Sequence, residues 1–462
     1  MRKTLKPLLL ATAAGLGLMA GTVAASAETL ADALVSAYRN SHLLENYRAT
    51  LAAADEDVAQ SVAALRPVVQ WGLDFATSRC TYPSTATCTS DWTDISATLA
   101  VSASWTLYDF GRTQLSIGMQ KETVLATREA LRSTEQDVLL SAVQAYADAK
   151  ATAEQVAINQ NSVRVISEQL KAAQDRFDVG EVTRTDVSQA EASLAGARAS
   201  LAAAEGNYKA AREAYKAAIG HYPTRLSALP RAPSLPKSVE AASTTALRQH
   251  PTIKQLQHQV AVTDLAVSLA DAQRLPTITG SLSFSDQDGV GHSGAAGVSI
   301  GQTIYSGGNI SSLRRQAVIQ REGTRASLRQ AGVSVAQGVA NAYAMIEVYR
   351  AQIRAYDQQI QAADIAYRGV REEATLGART TLDVLDAEQD LLDARASRIT
   401  AEADLQVAYY QLLSAMGLLT VEDLKLGIPT YDPAAYYNAV QNAPLSVQGE
   451  RLDRVLRAIG KQ

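Results

Sequence analysis

Asp383 and Asp386 stand three positions apart in a polar helical stretch, which puts both carboxylates on one face of a helix. Several copies of that face turned toward one axis would make an anionic ring that repels anions and draws cations. Arg379 lies just upstream. Thr380 with Asp383, and Thr183 with Asp186, have the spacing of a capping box, in which an aspartate accepts helix amides at the positive end of the dipole. Those two aspartates therefore have a structural use beside any use at a pore.

Enzymatic chemistry finds no footing. There is no GxSxG, no glycine loop of the phosphate-cradling kind and no CxxC, and no acid, base and nucleophile converge on a pocket motif. The five histidines, His42, His221, His250, His258 and His292, are scattered without paired metal-ligand spacing and are expected at surface or capping positions. A non-enzyme with no cofactor and no metal is the reading. The net charge of -4, with no Lys/Arg cluster, argues against nucleic acid as a partner. Cys80 and Cys88 lie in a segment rich in Thr, Ser and Pro. In an oxidising compartment they read as a disulfide-bridged surface loop, with two free thiols as the alternative.

The elements that would position these residues begin after an export signal. Lys3 and Lys6 precede an apolar stretch from Leu8 to Ala20, and Ala25-Ser26-Ala27 has the small-x-small form of a cleavage site, so residues 1–27 read as a signal peptide and the mature chain as starting at Glu28. No later apolar run approaches the roughly 18 residues of a spanning helix. Membrane residence would have to be through strands.

The remainder is written twice. Trp105-Thr-Leu-Tyr-Asp-Phe-Gly111 lies over Gln302-Thr-Ile-Tyr-Ser-Gly-Gly308 at an offset of 197 (302 − 105), and the register holds to Gly220 over Gly417. Upstream, Pro67 over Pro276 sets an offset of 209 (276 − 67), and the difference falls in the segment with Cys80 and Cys88. The domains expected are residues 28–220 and 240–417 as two structural repeats, 221–239 as a linker, and 418–462 as a tail packed around the middle of the molecule.

Each half opens with one helical stretch running to Pro67 or Pro276, where the missing amide hydrogen stops it. The period then switches to two. Ile95, Leu99, Val101, Ala103 and Trp105 alternate with Ser96, Thr98, Ser102, Ser104 and Thr106, and a shorter partner alternates through Val69, Trp71, Leu73 and Phe75. In the second half Ile278, Leu282 and Phe284 are assigned to one strand and Val298, Ile300 and Ile304 to the other. The hairpins span about 67–108 and 276–305. One apolar and one small polar face fit a lipid-facing wall around a wet lumen, and Trp71, Trp92 and Trp105 all fall in the first hairpin, as interfacial rings would.

After Asp109 and Ser306, either of which can cap a helix, uninterrupted helical tracts run from about Arg112 to Phe177 and from about Asn309 to Thr375. At about 1.5 Å per residue each is roughly 100 Å long. Glycines at 180 and 377 end them, and second tracts return to about Gly220 and Gly417, giving helix hairpins over about 112–219 and 309–416. Small residues such as Ala142, Ala145 and Ala149 suit close side-by-side packing. Four strands cannot seal a barrel in lipid, so several chains must close it. Two chains would give eight strands with a filled interior, and three give twelve with a channel.

The Tyr-Asp-Phe-Gly-Arg and Tyr-Ser-Gly-Gly-Asn junctions, the duplicated strand-hairpin and helix-hairpin plan, and Gly377-Ala-Arg-Thr-Thr-Leu-Asp-Val-Leu-Asp resemble the TolC family. The likeness covers nearly the whole mature chain up to about Gly417. It implies an α+β membrane protein: a homotrimeric twelve-stranded outer-membrane β-barrel, four strands per chain, continued by a long periplasmic α-helical barrel of coiled-coil hairpins. As partners it implies a periplasmic adaptor, an inner-membrane RND or ABC pump and outer-membrane lipid, with drugs or type I secreted proteins as cargo. The resemblance assigns Asp383 and Asp386 to the entrance constriction and links Arg379 to Thr185 and Asp186 of the neighbouring hairpin in a closed gate. Val179-Gly180-Glu181 and Leu376-Gly377-Ala378 become adaptor-docking tips. Gln189 and Val182 stand at the first-half places of Asp386 and Arg379, so the gate residues break the internal symmetry. Ala374 stands where the family would place a tyrosine. The rival reading is a non-transporting trimeric coiled-coil structural protein or adhesin of the cell envelope.

Overall fold

The computed structural model describes residues 27–79 and 93–442. The leader before Ala27, Cys80, Cys88, Trp92 and the tail beyond Asn442 lie outside the described residues.

The first half contains α1 (Leu30–Asn40), α2 (His42–Ala63), β1 (Val68–Arg79), β2 (Thr93–Tyr108), α3 (Arg112–Asp178) and α4 (Arg184–Ile219). The same order of element types follows in α5 (Val239–Gln249), α6 (Pro251–Ala272), β3 (Thr277–Gln287), β4 (Gly291–Gly301), α7 (Asn309–Thr375) and α8 (Thr381–Ala415). A short α9 (Ala435–Val440) closes the described chain. Both long helices, α3 and α7, have 67 residues. Among the described residues no helix is long and apolar enough to cross a membrane.

The stretch before each proline is two helices and not one. Ser41 takes an extended backbone and its hydroxyl accepts from Leu44 N at 3.3 Å, capping α2. In the second half His250 precedes Pro251, which disfavours helical backbone at His250, and its ring accepts from Thr252 N at 3.2 Å. Two strand boundaries also differ from the alternation pattern: β1 continues to Arg79, and Ile304 lies beyond the end of β4.

The four strands form one antiparallel sheet in the order β1-β2-β3-β4. The register places Trp71 beside Val101, Val101 beside Phe284, and Ile278 beside Ile300. Because side chains alternate, this register gathers Trp71, Leu73, Phe75, Leu99, Leu282 and Val298 on one face and leaves the other mostly to Ser, Thr, Gly and Ala.

At each strand-to-helix junction the chain turns through two left-handed residues, Phe110 (φ 55) with Gly111 (φ 87), and Gly307 (φ 61) with Gly308 (φ 90). Asp109 stabilises the first junction by accepting from Gly111 N at 3.1 Å and Thr113 N at 2.8 Å, and from the Thr113 hydroxyl. Arg112 then ties α3 to the second hairpin's base, donating to the carbonyls of Ala272 and Leu275 and to the Thr277 hydroxyl.

The core is a girdle midway along the long helices. Leu34, Leu51, Leu139, Tyr146, Ile219 and Leu412 are fully buried there, joined by the alanines of α3 that let neighbouring helices approach. Toward the α3–α4 and α7–α8 turns a smaller cluster forms around Ile166, Ala190, Leu194 and Leu385.

Candidate functional site: hairpin tips and sheet wall

At the end remote from the sheet the two helix hairpins finish in matching turns. Gly180 (φ 81) and Gly377 (φ 77) adopt the left-handed conformation that a side chain would strain. Glu181 N bonds to Arg176 O and Ala378 N to Glu373 O, both at 2.9 Å, which closes the last carbonyls of α3 and α7. An aliphatic side chain precedes each glycine in the open: Val179 is 72% and Leu376 84% exposed. The turns are thus rigid backbones that present one apolar residue each.

The returning helices start with the capping boxes that the spacing predicts. Asp186 accepts from Thr183 N at 2.9 Å and from the Thr183 hydroxyl at 2.8 Å, and Asp383 does the same with Thr380 at 2.9 and 2.8 Å. These bonds favour the charged form. The Thr183 side chain holds Asp186 below the ordinary carboxylate range, and the Thr380 amide does the same for Asp383.

The two tips lie against one another. A groove of about 560 Å³ is bounded by Arg176, Glu181, Asp186, Ala374, Leu376 and Arg379, and Arg176 crosses it to donate to Ala374 O at 3.2 Å. Within the protomer Arg379 shares this groove with Asp186, yet its ion pair goes to Glu373 of its own hairpin at 2.9 Å. No hydrogen bond joins it to Thr185 or Asp186 in this chain. Thr185 and Asp386 are exposed and lie outside the groove lining. Glu373 was not among the residues singled out from sequence; six positions and a tight turn separate it from Arg379.

A second unanticipated residue is Glu388, two residues beyond Asp386 on α8. It is 5% exposed, and its Oε2 has no hydrogen-bond partner. Burial pushes its carboxyl up to about 7, with Arg164 and Arg371 opposing the shift. Glu191, at the same place in the first half, is exposed.

At the other end, the apolar sheet face is bare. Trp71 is 76% and Phe75 71% exposed, and Ile95, Val298 and Ile300 are exposed beside them. Contiguous apolar area on this scale does not face water in a soluble monomer. The opposite face carries bonded hydroxyl pairs, Thr279 with Ser299 at 2.6 Å and Ser285 with Ser293 at 2.8 Å. With β1 and β4 as edges of the sheet, one protomer offers a wall segment and not a closed barrel.

An apolar-outside, polar-inside antiparallel wall standing on long amphipathic helix hairpins defines an outer-membrane channel component. The chain belongs to the outer membrane efflux protein family, whose model matches residues 33–221 and 242–418, and thereby to the TolC family of export channels. Outer membrane efflux protein BepC of Brucella suis biovar 1 is 35% identical over 436 residues, covering 92% of this chain and 94% of that protein. Outer membrane protein TolC of Vibrio cholerae is 27% identical over 438 residues, 91% of this chain and 97% of that one. The solved CmeC outer membrane channel of Campylobacter jejuni superposes with a TM-score of 0.75 at 15% identity, covering 91% of this chain and 90% of that one, which shows the shared fold. The protein is an outer-membrane export channel protein that extends into the periplasm.

Proposed function

We propose that three copies of this chain close edge to edge into a twelve-stranded barrel, and that their helix hairpins continue it as a hollow periplasmic cylinder. The observation that carries this is the four-stranded sheet with an exposed apolar face and two unpaired edges, which cannot persist in lipid alone. Three such sheets give a lumen, whereas two give a barrel filled by side chains. The repeated element order supports an internal duplication.

The exposed tip residues Val179 and Leu376, held on glycine turns, are the docking points for a periplasmic adaptor, which connects the channel to an RND or ABC pump. Asp383 and Asp386, one pair per chain, form the acidic ring at the entrance. Arg379 is the gate residue: it lies in one groove with Asp186 and exchanges Glu373 for Thr185 and Asp186 of the adjacent hairpin when the mouth is closed. Drugs, type I secreted proteins or both are the cargo.

The test is assembly and conductance. Purified mature chain in detergent should cross-link as a trimer and insert into planar bilayers as a pore of low resting conductance. A species that stays monomeric and gives no conductance would overturn the proposal. Deleting the gene and measuring drug susceptibility beside the extracellular proteome separates the cargo classes.

A further inference from the structure

Residues 418–442 fold back along α2 and α3 and are held by a series of polar contacts. Val421 N donates to Glu135 at 2.7 Å, the Tyr436 hydroxyl to Glu56 at 2.7 Å, and Arg66 to the Asn442 carbonyl at 2.8 Å. Two guanidinium groups also lie on tail rings: Arg48 is 5.2 Å from the Tyr431 centroid, and Arg128 is 5.4 Å from that of Tyr437.

Near Arg128, on α2, is Asp55. It is 0% exposed, and neither of its carboxylate oxygens has a hydrogen-bond partner. Arg128 Nε is likewise buried and unpartnered. A buried charge left unpaired beside an opposite charge is an expensive arrangement. The second half shows what the same residue types do without a tail. Counted at the offsets of 209 before the sheet and 197 after it, Asp55 falls on Asp264 and Arg128 on Arg325. There Arg325 Nη2 donates to Asp264 Oδ1 at 3.0 Å across α6 and α7, and Glu322 is its other partner. The first half has the aspartate and the arginine but not the bond. It differs in two ways: Val124 and Leu125 stand where Arg321 and Glu322 pair with Asp264 and Arg325, and the Tyr437 ring lies over Arg128.

We propose that Arg128 is a two-position latch: it holds the C-terminal segment by lying on Tyr437, or releases that segment by pairing with Asp55, as Arg325 pairs with Asp264. Segment 431–442 is thereby a detachable strap around the middle of the helical barrel. Release gives the arginine a carboxylate in place of the ring, which offsets part of the cost of breaking the Tyr436–Glu56 and Arg66–Asn442 contacts.

The latch has a sign with pH. Burial is the largest influence on Asp55 and raises its pKa in the docked state, opposed by the nearby but unbonded Arg128; direct pairing with Arg128 after release would lower it further. The docked state therefore binds the proton more tightly. Docking strengthens as pH falls and weakens as pH rises through the docked-state pKa of Asp55. The charged and titratable groups that act on Asp55 or feel it are Arg128 from α3, Glu56 on α2 itself and Tyr436 from α9.

Hydrogen exchange of the full mature protein in detergent, followed at the amides of 431–442 from about pH 5 to about pH 8 and corrected for the intrinsic rate, tests this. Opening of the strap should quicken with rising pH in the native protein. Asp55→Asn should slow it by about two- to fivefold at the upper end and flatten the dependence, while Glu56→Gln should leave the dependence in place. Tyr437→Leu should speed opening and also flatten it, since Arg128 would then sit on Asp55 in both states. Amides of α2 report whether Asp55→Asn has disturbed its own helix. An unchanged slope in Asp55→Asn, or a slope retained in Tyr437→Leu, would overturn the latch.

Discussion

The indole of Trp105 lies over Gly280, its partner across the β2–β3 ladder: a Cβ at position 280 would sit 2.8 Å from two carbons of the ring. That ladder is the seam between the two hairpins, so the glycine is what allows a tryptophan to cover the joint.

Gly280→Ala should therefore lower stability by about 1–3 kcal/mol, the usual cost of overpacking. The denaturant midpoint in detergent measures it. Gly301→Ala is the control, because no atom lies within 4 Å of a Cβ built there. Equal midpoints for the two variants would mean that the indole moves aside freely.

Glu388 should make the lower helical barrel weaker as the medium becomes alkaline. Its folded pKa of about 7 lies above the ordinary value of 4.5, so the folded state binds the proton more tightly than the unfolded one. The stabilising contribution is present below the unfolded value and is lost as pH rises through about 7. Glu388→Gln keeps the shape without the charge and should raise the melting temperature above pH 7 by an amount equivalent to on the order of 1–3 kcal/mol. Below about pH 5 the two proteins should melt together. A constant difference at all pH values would show that the effect is one of packing alone.

The Arg379–Glu373 pair makes a directional statement about the gate. If Arg379 closes the mouth by reaching Thr185 and Asp186, Glu373 competes for it at 2.9 Å. Glu373→Gln should then lower single-channel conductance, whereas Arg379→Gln and Asp186→Asn should raise it. The double variant of Glu373 and Arg379 should behave as Arg379→Gln, since the competitor has nothing left to compete for. The pair is exposed and screened by water, so changes of no more than a few-fold are expected. A rise in conductance with Glu373→Gln would assign the closing role to Glu373 itself.

Much of this architecture can be read from local pattern. Gly180 and Gly377 end the long helices because nothing but glycine turns there without strain, and Thr183 and Thr380 begin the next ones because an aspartate follows at the third helical position. Alternation through Ile95–Trp105 suffices to set which sheet face is apolar. The break at Ser41 was less legible, since apolar periodicity continues across it and only the serine hydroxyl marks a new start. What no pattern carried was burial. Glu388 and Glu191 occupy equivalent places in matching helices, and only the packing of α8 against α3 and α7 hides one of them. Likewise Asp55 and Asp264 look alike until the tail is seen to lie on Arg128.

The proposed acidic ring leads to a prediction about block. Both oxygens of Asp386 are without a bonded partner at the exposed start of α8, while Asp383 keeps one oxygen on Thr380 and the other open. Divalent cations added from the periplasmic side should therefore block conductance, and Asp386→Asn should relieve more of the block than Asp383→Asn. Because the Thr380 amide holds Asp383 below the ordinary range, part of the block should survive as pH falls through the usual aspartate value of about 3.9. The experiment is a bilayer titration of each variant against cation concentration at neutral and acid pH. Replacing both carboxylates should abolish the block if, as proposed, these two residues line the constriction. Block of undiminished strength in that double variant would place the cation site elsewhere in the tunnel and remove these two residues from the entrance.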